Sequence, residues 1–270
     1  MRLFVPPFCE GRLVVMLLVE PLFGNAVHVW LQPIPAVLSS HLFLYITPEE
    51  KDYLAAMRNE HRQKEWLAAR ALLRACLAHY TGVDALMLAF EKTPAGKPVL
   101  INPKSALAFN VSHGPRWVAC AVSLAQAVGV DVDCERRKNR IDEIAEKYFH
   151  SQEKKALASI SDTALRRREF FRCWTLKEAF IKAQGNTIAG TALHEIAFAS
   201  SAAGKQTALF SLPSAGWHFM HGRFDDDHHL ALAIEQSDCD TDAEIIEPAY
   251  RFLQWEPASN ALQSVAMHES

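Results

Sequence analysis

Residues 129–134 read GVDVDC and place two aspartates, Asp131 and Asp133, two positions apart in an otherwise apolar stretch. Successive side chains of an extended strand point to opposite faces, so both carboxylates project from one face, about 6–7 Å apart along the backbone. Two like charges held this close call for a cation between them. The stretch therefore predicts a strand that presents an acidic pair to a positively charged partner.

The composition around this strand is that of an ordinary globular protein. The 270 residues are 50% hydrophobic and 22% charged, which suits one large domain or two modest ones. The formal net charge of −3 excludes a general attraction to nucleic acid or to an anionic membrane, so a polyanionic ligand needs a local basic site. Six scattered cysteines predict neither a zinc framework nor disulfides, and they favour a reducing, cytoplasmic location.

The first 26 residues are predicted to be an extension ahead of the first strand. The apolar run 13–19 resembles the core of a signal peptide, but Glu10 and Glu20, on either side of it, argue against one. The run is also shorter than the roughly 20 apolar residues of a membrane span. We expect neither secretion nor membrane insertion.

The rest of the chain predicts an α+β fold of two similar halves, each ordered as strand, helices and several strands. The predicted boundaries are 1–26 for the extension, 27–125 and 126–235 for the halves, and 236–270 for a peripheral C-terminal tail. In the first half we predict strands at 27–32, 86–91, 107–111 and 117–124 and a helical region at 48–80. In the second half we predict strands at 127–134, 194–199, 207–212, 216–223 and 229–235 and helices at 141–149, 151–159 and 163–184.

The segment 167–186 contains a helix with a chemically unusual face. Its aromatic face is formed by Phe170, Trp174, Lys177 and Ile181, and Gly185-Asn186 predicts its end. Glu178 and Lys182 lie one turn apart on the neighbouring stripe. This pair is either a solvated ion pair or a working carboxylate and ammonium that face a cleft.

A third carboxylate changes how the acidic strand is interpreted. If the strand packs against this helix, the oxygens of Asp131, Asp133 and Glu178 can close on one hard cation. Magnesium prefers a few carboxylates and leaves its other positions to water and phosphate oxygens. An isolated aspartate at a strand end is more often a cap or turn residue.

Two further stretches carry polar groups suited to anions. Residues 108–123 predict a hairpin around Gly114-Pro115, with Ser112 and His113 at the end of its first strand. A serine nucleophile with a histidine base is disfavoured, because adjacent residues of a strand point apart. A turn histidine and a phosphate-binding Ser/His pair remain open. Lys97, between a glycine and a proline, is a pre-positioned cation.

The helix 66–80 places Arg70 in line with apolar residues, and Arg74 follows one turn later. The long arginine side chain can snorkel to solvent along such a face. It can equally offer planar, bidentate recognition of a phosphate.

Four motifs in this order resemble the 4'-phosphopantetheinyl transferases: GKPVL at 96–100, FNVSHG at 109–114, GVDVD at 129–133 and WTLKEAFIK at 174–182. The length and doubled element order are similar to the large, monomeric, surfactin-synthetase-activating type. The resemblance covers about residues 27–235. It implies two α+β halves in a pseudo-two-fold arrangement, with the active site at their interface.

The resemblance also implies roles for individual residues. Asp131, Asp133 and Glu178 match magnesium ligands, with Mn²⁺ as a substitute ion, and Lys182 matches a lysine beside the pyrophosphate of coenzyme A. The phosphates and adenine end of coenzyme A are expected to be held by Arg70, Lys97, Ser112 and His113. Lys177 matches a motif lysine and is grouped with the residues expected to bind coenzyme A, although its role there is undefined. Several relatives have glutamate at Asp133, so this shorter side chain is the least secure ligand.

The implied reaction moves the phosphopantetheine arm of coenzyme A onto a serine of an apo acyl or peptidyl carrier protein and releases adenosine 3',5'-bisphosphate. Glu178 is the expected general base, and Lys182 offsets charge on the departing phosphate. A basic docking surface for an acidic carrier is expected from Arg136, Arg137, Lys138 and Arg140 and from Arg166, Arg167, Arg168 and Arg172. A solvated charged face explains the same arginines.

Two other functions use the same residues. A magnesium-dependent phosphohydrolase would release phosphate without any carrier, and a carrier-binding module without turnover would bind independently of magnesium. A second acidic stretch, 225–229, reads DDDHH and is interpreted as a polar hairpin turn rather than a metal site.

Overall fold

The computed structural model describes residues 21–124, 127–137, 140–198, 216–235 and 248–268. Their secondary structure is mixed, with helices and mainly antiparallel strands, as the α+β prediction requires. The strand predicted at 207–212, most of the N-terminal extension and Lys138 of the basic run lie outside the described residues.

The first sheet is built on the predicted first strand and the predicted hairpin. Its strands are ordered β10-β9-β1-β5-β4, where β1 is Val27–Pro33, β4 is Ala108–His113, β5 is Trp117–Ser123, β9 is Tyr250–Glu256 and β10 is Ala261–Ser264. β4 and β5 pair antiparallel, which confirms the hairpin, and β5 continues antiparallel onto β1. β9 pairs parallel to β1 on the other side.

Two helices and a ribbon complete the first half. The predicted helical region is split into α1 (Pro48–Ala55) and α2 (Glu60–Thr81), because Asn59 adopts extended backbone and its side chain accepts a hydrogen bond from the N–H of Arg62. α2 ends at Gly82, whose φ of 69° is left-handed. The strands β2 (Ala89–Lys92) and β3 (Pro98–Asn102) form a separate two-stranded ribbon.

The second half has a smaller sheet ordered β6-β8-β7. β6 (Val128–Cys134) contains the acidic pair and is buried at every position, and it pairs antiparallel with β8 (His228–Glu235). β8 forms a hairpin with β7 (Trp217–Phe224). The predicted helices are confirmed as α3 (Ile141–Tyr148), α4 (Ser151–Ser159) and α5 (Thr163–Gln184).

The two halves repeat one packing unit. α2 and α5 are each 22 residues long, each begins at a capping Asn or Asp, and each ends at a glycine with a φ of 69°. α2 packs on one face of the first sheet, and α5 packs on one face of the second. The remaining faces pack together, where β1 valines meet Val130, Val132 and Leu230. The result is a helix, two sheets and a helix in layers.

Two predictions about secondary structure are wrong. Of the strand predicted at 194–199, the described residues 194–198 do not form a strand, because a short 3-10 helix at Leu193–Glu195 precedes a single bridge residue at Phe198. The described part of the predicted tail is not peripheral, since β9 and β10 extend the first sheet and Trp255 is fully buried. Apolar and polar residues alternate over 253–256, but the adjacent Phe252 and Leu253 break the pattern, so the sequence signal for β9 was weak.

Strand β6 is fixed between the two halves by unusual contacts. On one side, the side chains of Asn110 and Ser112 accept hydrogen bonds from the backbone N–H groups of Val130 (3.0 Å) and Val132 (3.3 Å). On the other side, Gly129 lies so close to α5 that a Cβ atom there would sit 2.0 Å from the carbonyl oxygen of Ala179. The glycine at the start of GVDVDC therefore sets the distance between the acidic strand and the helix.

A buried ion pair joins α4 and α5. Lys177 is fully buried, and its Nζ atom donates to the Glu153 carboxylate (2.8 Å), to the carbonyl of Leu193 (3.0 Å) and to the carbonyl of Ile196. Glu153 also accepts from the backbone N–H groups of His150 (2.9 Å) and Phe198 (3.0 Å). All three ammonium protons thus have acceptors inside the core.

In the part of the chain that is described, no helix is both long enough and apolar enough to cross a bilayer.

Gly129→Ala is expected to lower the free energy of unfolding by about 3 kcal/mol or more, because the new Cβ would clash with backbone atoms of Ala179 and Ala183. Urea and thermal unfolding would measure the change. Gly190→Ala is the matched control, since its Cβ would meet the Thr187 hydroxyl at an ordinary 3.4 Å. Wild-type stability of Gly129→Ala would contradict the close approach of β6 and α5.

Lys177→Met is expected to lower the free energy of unfolding by roughly 3 kcal/mol, because it leaves the Glu153 carboxylate buried without its counter-ion. Adding Glu153→Gln should recover part of that loss in a double-mutant cycle. Lys154→Met on α4 is the control and should cost under about 1 kcal/mol, because its ion pair with Glu146 is exposed. Equal losses for the two lysines would show that the buried Lys177–Glu153 pair contributes no more to the free energy of unfolding than the exposed pair does.

Candidate active site

Asp131, Ser112 and Lys182 form a hydrogen-bonded centre where β4, β6 and α5 meet. The Nζ atom of Lys182 lies 2.6 Å from Asp131 Oδ1 and 2.8 Å from Ser112 Oγ. The Ser112 hydroxyl donates to the same Asp131 oxygen at 2.8 Å and accepts from the N–H of Val132. Lys182 thus places a positive charge next to the acidic pair.

The Ser112 hydroxyl is fully occupied in this arrangement. It donates one hydrogen bond and accepts two, which uses its proton and both lone pairs. Ser112 is buried, whereas His113 is exposed at the end of the strand. The adjacent side chains therefore point apart, as the sequence analysis predicted when it disfavoured a serine nucleophile with His113 as its base. The primary role of Ser112 here is to hold Asp131 and Lys182 in place.

Asp133 lies on the same face of β6 and is buried. Its Oδ1 accepts from the backbone N–H of Cys134 (2.8 Å), and its Oδ2 pairs with the guanidinium of Arg137 (3.2 Å). Burial, followed by repulsion from Asp131, raises the pKa of Asp133 to about 6, although Arg137 opposes the shift. Asp133 therefore belongs to the same charged cluster as Asp131.

Glu178 completes the acidic cluster from α5. Burial is the largest cause that raises its pKa to about 7, and the charges of Asp131 and Asp133 raise it further, while Lys182 and Arg137 lower it. The strand packs against the helix as predicted, with Gly129 in contact with α5, and the meeting of the three carboxylates at one ion stays a prediction. One turn of helix separates Glu178 from Lys182, so a carboxylate and an ammonium face the same strand.

This cluster has the donor set of a magnesium site. Three carboxylates face two cationic side chains, Lys182 and Arg137, so one negative charge is left uncompensated when all three are ionised. The carboxyl oxygens are hard ligands and are poorly hydrated, which is the setting in which a divalent cation is favoured. Asp131, Asp133 and Glu178 fit that ion.

Lys97 and His113 lie at the edge of the same centre. Lys97, from the turn of the β2–β3 ribbon, donates to the carbonyls of Lys182 (3.1 Å) and Ala183 (3.4 Å), at the C-terminal end of α5. A cation at this end of a helix is stabilised by the exposed carbonyls. The charges of Lys182 and Asp131 act on His113. Both predicted phosphate-binding residues are therefore near the acidic cluster.

Arg70 has a different environment from the one that the resemblance implied. Its guanidinium pairs with Glu50 and lies 4.5 Å from the ring centre of Phe90 in the ribbon. The neighbouring Arg74 is buried and bonds to Glu50 and to the carbonyls of Ala85 and Leu88. Arg74 therefore neither snorkels nor faces a phosphate; it joins α2 to the segment before the ribbon, and both arginines join α2 to Glu50 of α1.

The implied contact of Lys177 with coenzyme A does not fit the structure. The ammonium has no exposed surface, and Glu153 and two carbonyl groups take its donors. Burial lowers the pKa of Lys177, and the Glu153 carboxylate opposes that shift. Lys177 is a core residue on the face of α5 that points away from Asp131, and the predicted aromatic face is the buried face of the helix.

The second acidic stretch forms the predicted polar turn between β7 and β8, with Asp225 and Asp226 at φ values of 47° and 58°. Cys134, Asp227 and His228 bring metal-ligand atoms within 4.8 Å of one another on this side of β6. However, the guanidiniums of Arg116 and Arg136 already pair with Asp227. This group therefore has no charge deficit comparable to that of the Asp131 cluster.

Sequence reasoning missed two residues of the site. Asn110 ties β4 to β6, and its position two residues before Ser112 placed it on the same strand face as that serine. Arg137 was recognised only as part of a basic run, although its side chain pairs with Asp133. No periodic signal marked that contact, because Arg137 follows β6 in a turn.

Comparisons with known proteins agree with this geometry. The family model for the "4'-phosphopantetheinyl transferase superfamily" matches residues 127–233, and the model for "4'-phosphopantetheinyl transferase, N-terminal" matches residues 30–125. The two matches correspond closely to the two structural halves. In the sequence, the first match ends at residue 125 and the second begins at residue 127, between β5 and β6.

Individual relatives agree with the family models. The 4'-phosphopantetheinyl transferase HetI of Nostoc sp. is 32% identical over 219 residues, 79% of this chain and 89% of that protein. The 4'-phosphopantetheinyl transferase Sfp of Bacillus subtilis is 27% identical over 57% of this chain and 66% of its own length. A solved holo-(acyl-carrier-protein) synthase of Bacillus anthracis aligns over 42% of this chain and 98% of its own, with 18% identity and a TM-score of 0.37.

The resemblance drawn from the four motifs is thereby confirmed. The chain belongs to the 4'-phosphopantetheinyl transferase superfamily and is a transferase of the Sfp-like type.

Proposed function

We propose that the chain transfers the phosphopantetheine arm of coenzyme A to a serine hydroxyl of an apo acyl or peptidyl carrier protein, with a magnesium ion held by Asp131, Asp133 and Glu178. The observation that carries the proposal is the cluster of two buried carboxylates, Asp131 and Asp133, and the half-buried Glu178, with Lys182 paired to Asp131. When bound, the ion would supply charge neutralisation and polarisation at the pyrophosphate.

Glu178 is the proposed general base. Its pKa of about 7 matches the pH at which a carboxylate can both remain ionised and accept a proton from the incoming serine hydroxyl. Asp131 and Asp133 lie on a buried strand that pairs with β8 along its length and accepts support from Asn110 and Ser112 on its other edge, so they would hold their positions while Glu178 exchanges the proton. Mutation of Glu178 removes both a ligand and a base, so the two duties are separated by pH profiles rather than by activity alone.

Lys182 and Lys97 are proposed to bind the anionic groups of coenzyme A. Lys182 is held by Asp131 and Ser112 with about 28% of its side chain exposed, which leaves it accessible to a phosphate beside the carboxylates. Its charge would offset that of the departing bisphosphate. Lys97 and His113 border the same space and would hold the remaining phosphates and the adenine end.

A carrier-docking surface is proposed beside this centre. Arg136 lies in the turn just after β6, and Arg166 and Arg168 lie near the start of α5. These arginines are partly exposed, although each also pairs with an acidic neighbour: Asp227, Asp142 and Glu135 respectively. Complementary charge would speed the encounter with an acidic carrier, and salt should weaken it.

The reaction is tested by incubating the protein with coenzyme A, Mg²⁺ and several apo acyl and peptidyl carrier proteins. Mass spectrometry should show the phosphopantetheine mass on the carrier serine. Release of phosphate from coenzyme A without a carrier would instead indicate a phosphohydrolase. Carrier binding that is indifferent to Mg²⁺ and coenzyme A, without transfer, would indicate a binding module.

Asp131→Ala is expected to reduce transfer by at least about 10²-fold, because the centre loses a metal ligand and the partner of Lys182. Asp131→Asn keeps the shape of the side chain and should fail similarly. Circular dichroism and thermal unfolding would verify the fold of both variants. Glu146→Ala, an exposed residue of α3, is the control and should retain activity. Wild-type transfer by either Asp131 variant at ordinary Mg²⁺ would remove Asp131 from the site.

Arg136→Ala is expected to raise the KM for the carrier by about three- to tenfold and to flatten its dependence on salt, with an unchanged KM for coenzyme A. The reason is the loss of one exposed positive charge from the proposed docking surface. Arg251→Ala, in β9 at the far side of the first sheet, is the control and should leave both constants unchanged. Equal effects of the two substitutions would argue against docking at Arg136.

A further inference from the structure

We infer that Arg137 is the resident counter-ion of the acidic cluster, which holds Asp133 before the divalent cation binds and then turns to the phosphates of coenzyme A. This inference rests on the proposed function, and it gives one arginine two successive partners. The predicted consequence is unusual for a residue at an active centre. Removal of the Arg137 side chain should strengthen the binding of the metal and weaken catalysis.

Both oxygens of Asp133 are engaged in the structure. Oδ1 accepts from the backbone N–H of Cys134 at 2.8 Å, a bond within one short stretch of chain that leaves little freedom. Oδ2 contacts the Arg137 guanidinium at 3.2 Å. A divalent ion that approaches Oδ2 would lie next to the positive guanidinium, and repulsion between the two cations disfavours their presence together. Direct ligation by Asp133 therefore requires Arg137 to move away.

Arg137 is built to move without disturbing the backbone. Its side chain is 55% exposed and extends from the turn after β6, where a side chain can change rotamer at low cost. The backbone carbonyl of Arg137 accepts a hydrogen bond from the Arg167 guanidinium of α5, which anchors the turn. The Lys182 side chain is less free to move, because it lies on a helix and has two hydrogen-bond partners in Asp131 and Ser112.

The guanidinium also has capacity for a second anion. Among the described residues, Asp133 is its hydrogen-bond partner, and most of its five N–H donors remain. The charge of Arg137 acts on Glu178 and His113 as well as on Asp133. It therefore already lies within reach of the groups proposed to hold the phosphates, and a planar fork suits phosphate oxygens.

The test measures Mn²⁺ binding to the substrate-free protein by isothermal titration calorimetry, together with steady-state transfer. Arg137→Ala should bind Mn²⁺ about three- to tenfold more tightly than the wild type, because a competing cation is gone. At saturating Mn²⁺ the same variant should transfer at least about tenfold more slowly or show a raised KM for coenzyme A. Arg137→Lys, which keeps the charge, should retain the weaker Mn²⁺ affinity.

Arg140→Ala is the matched control, since Arg140 is 81% exposed and pairs with Glu143 rather than with the cluster. It should leave the Mn²⁺ affinity unchanged, and Arg137→Gln would replace Arg137→Ala if that variant failed to fold. Unchanged or weaker Mn²⁺ binding by the Arg137 variants would overturn the counter-ion role. Tighter Mn²⁺ binding with wild-type transfer would overturn the phosphate contact. Failure of the transfer reaction itself would appear in the wild type and would leave the Mn²⁺ comparison intact.

Discussion

The position of strand β6 is the constraint on which the site depends. The strand is held from one side by Asn110 and Ser112, whose side chains accept bonds from its backbone, and from the other by the contact of Gly129 with α5. Hydrogen bonds have a narrow range of length, and a glycine contact with a backbone carbonyl has almost no tolerance. Together they bring the acidic strand face close to Glu178 and Lys182. A looser seam would separate the carboxylates and remove their mutual effect.

Electrostatics then distinguishes two clusters that look alike in the sequence. Asp131 and Asp133 are buried and Glu178 is half-buried, and the three carboxylates share two cationic partners, so they retain a demand for positive charge. On the other side of β6, guanidinium groups pair directly with Asp227. Burial of a charge is tolerated only when that charge is paired, and the two clusters satisfy this rule differently. The Asp131 cluster leaves negative charge that a bound ion could neutralise, whereas arginine side chains already neutralise the charge of Asp227.

Most of the fold was predictable because it follows from local patterns. Helices α4 and α5 begin at the capping residues His150 and Asp162, α3 has an amphipathic pattern, and the β4–β5 hairpin has a Gly-Pro turn. Weaker patterns failed at the segment after α5, where a short 3-10 helix and a single bridge residue replace the described part of the predicted strand. Strand β9 was misjudged because its partner, β1, is more than 200 residues earlier in the chain, and β10 joins the sheet only through β9. Pairing over such a separation has no local signal.

The sequence by itself determined which chemical groups the site contains: the i, i+2 spacing of Asp131 and Asp133, the i, i+4 spacing of Glu178 and Lys182, and the motifs that indicate the family. Only the tertiary structure decided which similar residues are withheld from it. Lys177 and Glu178 are adjacent in the chain, yet one is buried against Glu153 and the other faces Asp131. Arg70, expected at a phosphate, instead pairs with Glu50. The reason is physical, because the partner of a charged side chain is set by what packs against it in space, and sequence spacing specifies that only within one helix or strand.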